Sequence, residues 1–145
     1  MWQRIQTLYL LISAGLLAGM CFSNAYSFTT PEGLQSLTWW QVQKPYFGIL
    51  LGILTFLVVL ALAVYKVRIL QMRLAVLSAV IALGMQIWIG VMVYLSLEGT
   101  VYSWTAIFPL VVCISNFLAA RGCFQDQLMV ESAYRVREMR RRNKK

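Results

Sequence analysis

The stretch from Leu74 to Leu95 constrains the fold most, because it contains no charged side chain. As an α-helix it would be about 33 Å long, enough to cross a hydrocarbon core of about 30 Å. The segment just before it, from Tyr65 to Arg73, carries the cations Lys66, Arg68 and Arg73 and no acid. Since loops rich in Lys and Arg stay on the cytoplasmic side of a membrane, this basic turn predicts the direction of the span.

Three further apolar blocks have the same character. The chain is 60% hydrophobic and 12% charged, whereas an average globular domain is about a quarter charged. None of the blocks keeps the polar face that a helix of a soluble bundle shows. The sequence therefore predicts an all-α integral membrane four-helix bundle, with a membrane domain at 1–122 and a basic cytoplasmic tail at 123–145. The predicted spans are 5–22, 46–65, 74–95 and 102–120, and an outer loop covers 23–45.

The first block could also be a cleaved signal peptide, since Ser23-Asn24-Ala25 fits a cleavage site. Its apolar run of about 18 residues is longer than the usual core of about 7–15. We therefore expect it to be retained as the first span, with Arg4 on the inner side.

The distribution of charge predicts that both termini are cytoplasmic. Twelve of the 13 cations lie at the N-terminus, in the basic turn or in the stretch from Arg121 to the end of the tail, and only Lys44 lies in the outer loop. Within the tail, Glu131–Arg135 and Glu138–Arg142 are spaced to stabilise a helix. Such a helix either lies along anionic headgroups or docks on a partner. The net charge of +8 is thus explained at the membrane edge, and nucleic-acid binding is not expected.

Aromatic residues close the outer loop. Trp39 and Trp40 precede the second span and are expected at headgroup level, where the indole ring is buried and its N–H stays hydrated. The bland interpretation is a loop lying on the outer leaflet, and the alternative is a binding platform.

Small and polar residues predict how the spans pack. Gly15 and Gly19 in the first span, and Gly48 and Gly52 in the second, are expected to face each other, since glycines four apart let helices approach closely. Coincidence and a contact between subunits remain open.

Among the polar residues, Ser78 matches the depth of Asn116 and is its expected partner. Gln86 needs an interhelical bond, a water or a ligand, because an unsatisfied amide in hydrocarbon is costly. Pro109 is expected to kink the fourth span.

The usual residues of membrane catalysis and transport are missing from the spans. They contain no Asp, Glu, Lys, Arg or His, which proton relays and ion-coupled carriers use. Cys21, Cys113 and Cys123 have no paired spacing and the chain has no histidine, so no metal or cofactor is expected. We therefore expect a protein that is not an enzyme.

Three motifs together carry a resemblance to a known family. They are Gln3-Arg4-Ile5-Gln6-Thr7, the turn from Tyr65-Lys66 to Arg73-Leu74, and Pro109 followed by Leu118-Ala119 and Arg121. With the tail Ser132-Ala133-Tyr134-Arg135-Val136-Arg137, the chain resembles the small inner-membrane family of Bacteroidetes catalogued as domain of unknown function 4293. The resemblance implies a four-helix inner-membrane protein and brings no activity or catalytic residue. The resemblance is imperfect in the segment after the fourth span, where the family usually has an Asp-Glu pair and this chain has Asp126-Gln127.

Two functions follow as hypotheses. The first is a non-catalytic accessory or assembly subunit of a larger membrane complex, with membrane lipids and a membrane-protein partner or a second copy as its contacts. The second is a small carrier or a lipid- or quinone-binding protein with a groove lined by Gln86, Trp88 and Asn116. The residues expected to contact a partner or headgroups are Arg4, Lys66, Arg68, Gln71, Arg73, Arg121, Arg135 and Arg137.

Overall fold

Four long helices make up most of the structure, a computed structural model that describes residues 2–30, 33–42, 46–96 and 100–142. Each is long and apolar enough to cross a membrane, so the predicted four-span fold is confirmed. The helices are α1 (Trp2–Phe22), α2 (Tyr46–Ala63), α3 (Arg68–Leu95) and α4 (Phe108–Arg142).

The helices form a ring in chain order, since α1 and α3 each pack against both α2 and α4. The α2–α3 connection is shorter than the predicted basic turn. Only residues 64–67 lie between the two helices, so Gln71 and Arg73 are already part of α3. We call the end with this turn, the start of α1 and the end of α4 the tail end, and the opposite end the sheet end.

Large apolar side chains cover the outside of the bundle. One from each helix, Leu11, Phe56, Val80 and Phe117, is between 62% and 64% exposed. A soluble bundle would bury such residues, whereas a hydrocarbon solvent suits them.

The outer loop of the sequence is largely a small β-sheet, which the sequence did not predict. Strands β1 (Asn24–Thr30) and β2 (Gly33–Thr38) form an antiparallel hairpin, and β3 (Val101–Tyr102) pairs with the other edge of β1. Gly33 begins β2 with φ 126°, a conformation that favours glycine. The sheet therefore ties the α1–α2 connection to the α3–α4 connection.

The sheet end is closed by a buried tryptophan, so the expectation for Trp39 is wrong. Its side chain is 1% exposed, and its Nε1–H donates to Thr105 Oγ1 at 3.0 Å. The indole also stacks on Phe47, with 5.4 Å between ring centroids. Trp39 can be buried because its N–H has a partner inside the protein. Tyr94 and Trp104 are each 88% exposed, which is the exposure expected of an aromatic residue at headgroup level.

The predicted contact between the two glycine pairs is also wrong. A Cβ on Gly15 would meet nothing within 4 Å, and one on Gly19 would meet Phe108. Gly48 and Gly52 lie under the indole of Trp40. Small residues do bring helices together, but at the tail end, through alanines at most 5% exposed. These are Ala61 of α2, Ala75 and Ala79 of α3, and Ala119 and Ala120 of α4.

Helix α4 runs without interruption from Phe108 to Arg142. Pro109 is its second residue and follows a 3-10 helix, Trp104–Ile107, so the predicted kink of the fourth helix at Pro109 is wrong. Proline fits the first helical turn because the N–H it lacks would have no helical partner there. The expected domain boundary at residue 122 lies inside α4, so the tail continues the fourth span.

Candidate functional site

A small polar cluster joins α1 to α4 at the tail end. Gln6 is 5% exposed, and its Nε2 donates to Asp126 Oδ2 at 3.0 Å. Cys123 Sγ donates to Gln6 Oε1 at 3.3 Å. The amide of Gln6 thus bonds through both of its ends to side chains one helical turn apart on α4. The cluster fixes the rotation of α1 against α4 where the tail begins.

A glycine makes room for this cluster. A Cβ on Gly122 would lie 2.9 Å from Gln6 Cγ and 3.1 Å from Gln6 Nε2. Any larger residue at position 122 would therefore force Gln6 to move and would break the hydrogen bond from its Nε2 to Asp126. The N-terminal motif and the segment after the fourth span, which both entered the family resemblance, meet at this point.

A cavity of about 210 Å³ lies beside the cluster, between α1 and α4. Its lining is apolar on the span side and polar toward the tail. The lining residues are Ile5, Gln6 and Tyr9 of α1 and Leu118, Arg121, Gly122 and Gln125 of α4. Arg121 is a lining residue that was also predicted to make contacts, and its side chain is exposed.

Beyond the cluster, α4 leaves the bundle. Every residue from Leu128 to Met139 is exposed, including Met129 at 60%, Tyr134 at 68% and Met139 at 61%. Arg135 pairs with Glu131 at 2.8 Å, as predicted. The Glu138–Arg142 pair lies outside the described side chains. This part of α4, residues 128–142, is called the projecting tail below.

The expected contact residues differ in placement. Lys66, Arg73, Arg121, Arg135 and Arg137 are exposed at the tail end or on the projecting tail. Gln71 is 3% exposed, because α3 already begins at Arg68 and this position turns into the bundle, so it does not present its amide to a partner. The side chains of Arg4 and Arg68 lie outside the described part of the chain.

The two amides inside the spans, Asn116 and Gln86, differ in their hydrogen bonds. Asn116 Nδ2 donates to Ser78 Oγ at 2.9 Å, and both residues are buried, which confirms the predicted pair. The interhelical bond expected of Gln86 is not made by its Oε1, which is buried without a partner among the described residues.

The groove of the carrier hypothesis is not assembled. Gln86 and Trp88 are two residues apart on α3, so they point about 200° apart around the helix. The Trp88 ring packs edge-on against Phe47, with 6.2 Å between centroids. Asn116 is bonded to Ser78, about 12 Å along α3 from Gln86.

No sequence pattern points directly to the tail-end cluster. Gln6 precedes an apolar run, where a polar residue is ordinarily read as a headgroup contact. The available signal was Gly122 followed by Cys123 and Asp126 at helical spacing, which places a gap, a thiol and a carboxylate near one another on α4.

Comparison with protein families gives one match, over residues 2–136, to the family described as Domain of unknown function (DUF4293). No curated protein and no solved structure matches the chain.

Proposed function

The chain belongs to the DUF4293 family, and we propose that it is a non-catalytic accessory or assembly subunit of a larger complex in the bacterial inner membrane. The observation that carries this proposal is the projecting tail. A helix that leaves its bundle exposes surface that a partner can cover.

The chemistry of the projecting tail suits a protein partner. Its exposed surface combines apolar side chains, Met129, Val136 and Met139, with the cations Arg135 and Arg137. At 1.5 Å per residue, α4 extends about 30 Å beyond Arg121. Because α4 is unbroken through residue 142, the tail continues the spanning helix, and its apolar residues lie beyond the apolar run that ends at Ala120. A partner with an apolar, acidic groove would satisfy both components.

We infer the orientation of the bundle from its charge. In the sequence, 12 of the 13 cations lie before the first apolar run, in the basic turn or from Arg121 onward. The described parts of these segments lie at the tail end, so we assign this end to the cytoplasm. Two reporters fused at the C-terminus test the assignment, one active only in the cytoplasm and one active only outside it. The cytoplasmic reporter should be active and the other inactive.

The experiment is a native pull-down from membranes in a mild detergent, with mass spectrometry of both proteins and lipids. The full chain should recover a stoichiometric membrane-protein partner. A chain ending at Gln127 should lose this partner, because the truncation removes the projecting tail. It keeps the tail-end cluster and the other predicted contact cations, so a loss can be assigned to the tail. The retained residues are Asp126, Arg4, Lys66, Arg68, Arg73 and Arg121.

A second variant separates apolar docking from charge. Replacing Met129, Val136 and Met139 together by Gln keeps every charge, and it should also release the partner. If the chain ending at Gln127 keeps its partner, the tail is not the contact. If the full chain is recovered alone with one enriched small molecule, the accessory role is refuted and the carrier hypothesis gains support.

A further inference from the structure

We propose that the cavity between α1 and α4 at the tail end binds the phosphate of one anionic phospholipid. This proposal requires that the bundle spans a membrane, and it does not depend on the accessory role.

The lining is ordered by depth in the way that a phospholipid requires. Among the lining residues of α4, Leu118 lies deepest in the bundle. Arg121 lies about one turn nearer the tail, and Gln125 lies about one turn further still. On α1, Tyr9 lies deeper than Ile5. The glycerol and upper acyl chain of a phospholipid would therefore contact apolar side chains on the span side of the cavity. Its phosphate, nearer the tail, would contact the guanidinium of Arg121 and the amide of Gln125.

The level of the cavity agrees with a headgroup position. Arg121 directly follows the last residue of the apolar run, Ala120, which puts its guanidinium where hydrocarbon gives way to headgroups. Arginine binds phosphate through parallel N–H donors, and basic pockets between spans on the cytoplasmic side are a known way to hold anionic headgroups.

The size of the cavity limits what it can hold. A volume of about 210 Å³ is smaller than the roughly 300–1,000 Å³ of pockets that enclose a whole small molecule. A phospholipid needs only its headgroup region enclosed, because its chains remain among the surrounding lipids. Ile5 at 49% and Leu118 at 40% exposure show that the cavity opens toward the side where those lipids lie.

The acid that follows Gln125 in the sequence, Asp126, faces Gln6. Asp126 Oδ2 accepts the hydrogen bond from Gln6, and Asp126 is not part of the lining. The amide of Gln6 is in turn held by Cys123 and Asp126, so the cavity wall is fixed before a ligand arrives.

The test measures lipid retention by the full chain. The protein is reconstituted in vesicles of equal parts phosphatidylglycerol and phosphatidylcholine, extracted in mild detergent, and analysed for lipid bound per protein by native mass spectrometry. The wild-type protein should retain phosphatidylglycerol in preference to phosphatidylcholine. Arg121→Gln should lower phosphatidylglycerol retention about fivefold, the factor expected for one cation at a membrane surface.

Two further variants make the result specific. Arg140→Gln removes the same charge from the same helix about 28 Å further along, and it should leave retention unchanged. Gln125→Glu puts a carboxylate into the lining, and it should lower retention as Arg121→Gln does. Size-exclusion profiles identical to wild type show that a loss of lipid is not a loss of fold.

Three results would overturn the proposal. The first is equal retention by Arg121→Gln and the wild-type protein. The second is an equal loss in Arg140→Gln, which would assign the preference to the general positive charge of the tail end. The third is displacement of the lipid by millimolar inorganic phosphate, which would make the cavity a free-phosphate site.

Discussion

Replacing Gly122 by alanine tests the tail-end cluster most directly. The added Cβ would lie 2.9 Å from Gln6 Cγ, closer than two carbon atoms can approach. Gln6 must therefore move, and its hydrogen bond to Asp126 is lost. We expect the variant to fold, because the displaced atoms belong to one flexible side chain.

The magnitude follows from two opposing terms. Alanine in place of glycine inside a helix contributes about 1 kcal/mol of stability. A hydrogen bond to a charged group is worth about 1.5–3 kcal/mol, and the lower end applies because Asp126 is half-buried. The net expectation is a destabilisation of about 0.5 kcal/mol.

A matched glycine gives the control. Gly90 lies in α3, and a Cβ there would meet nothing within 4 Å, so Gly90→Ala should stabilise the protein by about 1 kcal/mol. The changes in the free energy of unfolding of the two alanine variants should differ by about 1.5 kcal/mol, and this difference is the contribution of the hydrogen bond in the cluster. It is measured by unfolding the purified protein in mixed micelles of increasing denaturing-detergent content, with helix content followed by far-UV circular dichroism.

A double-mutant cycle completes the test. In the Gln6→Ala background the atoms that the new Cβ would meet are absent, so Gly122→Ala should there stabilise the protein as Gly90→Ala does. The reasoning is refuted if Gly122→Ala and Gly90→Ala have the same effect in the wild-type background, because the close approach to Gln6 would then carry no energy.

Two further predictions concern the interior of the bundle and the sheet end. Ser78→Ala removes the acceptor of Asn116 Nδ2 and should lower the free energy of unfolding by about 0.6–1.7 kcal/mol; an unchanged stability would mean that the amide finds another acceptor. Trp39→Phe keeps an aromatic ring on Phe47 but loses the N–H donor to Thr105, at a cost of about 0.5–1.5 kcal/mol. Hydrogen exchange should then accelerate in the β1–β2 hairpin and stay unchanged in α4, and Thr105→Val should reproduce this pattern. A uniform acceleration across both regions would contradict a local role for the bond.

The sequence predicted what depends on composition and depth. The spans follow from charge-free blocks, and the Ser78–Asn116 bond follows from counting residues along two helices. The glycine pairs show the limit of such counting. Spacing puts Gly15 and Gly19 on one face of α1, but the direction of that face is set by what packs around the helix. In the structure Trp40 of the α1–α2 connection covers Gly48 and Gly52.

The β-sheet could not be predicted from the sequence for a different reason. The position of the outer segment between two spans favours a simple loop, although Tyr26, Phe28 and Thr29 are residues that favour strands and Pro31-Glu32-Gly33 is typical of a turn. Its pairing with Val101 and Tyr102 joins residues about 75 positions apart, and no local pattern reveals that contact. Gln6 was missed because its partners are likewise distant, at Cys123 and Asp126.

Because α4 is one continuous helix, its two ends keep a fixed rotational relation to each other. Helix α4 is unbroken between the bundle and the projecting tail. A rotation of α4 about its axis inside the bundle therefore rotates the tail by the same angle. The proposed contact face of the tail therefore has a definite rotational position relative to the spans. One residue added between Gln127 and Glu131 would rotate that face by about 100°, and seven added residues would bring it back to within about 20° of its original direction, displaced by about 10 Å. A partner bound to the tail is held at a fixed angle as well as at a fixed height above the membrane.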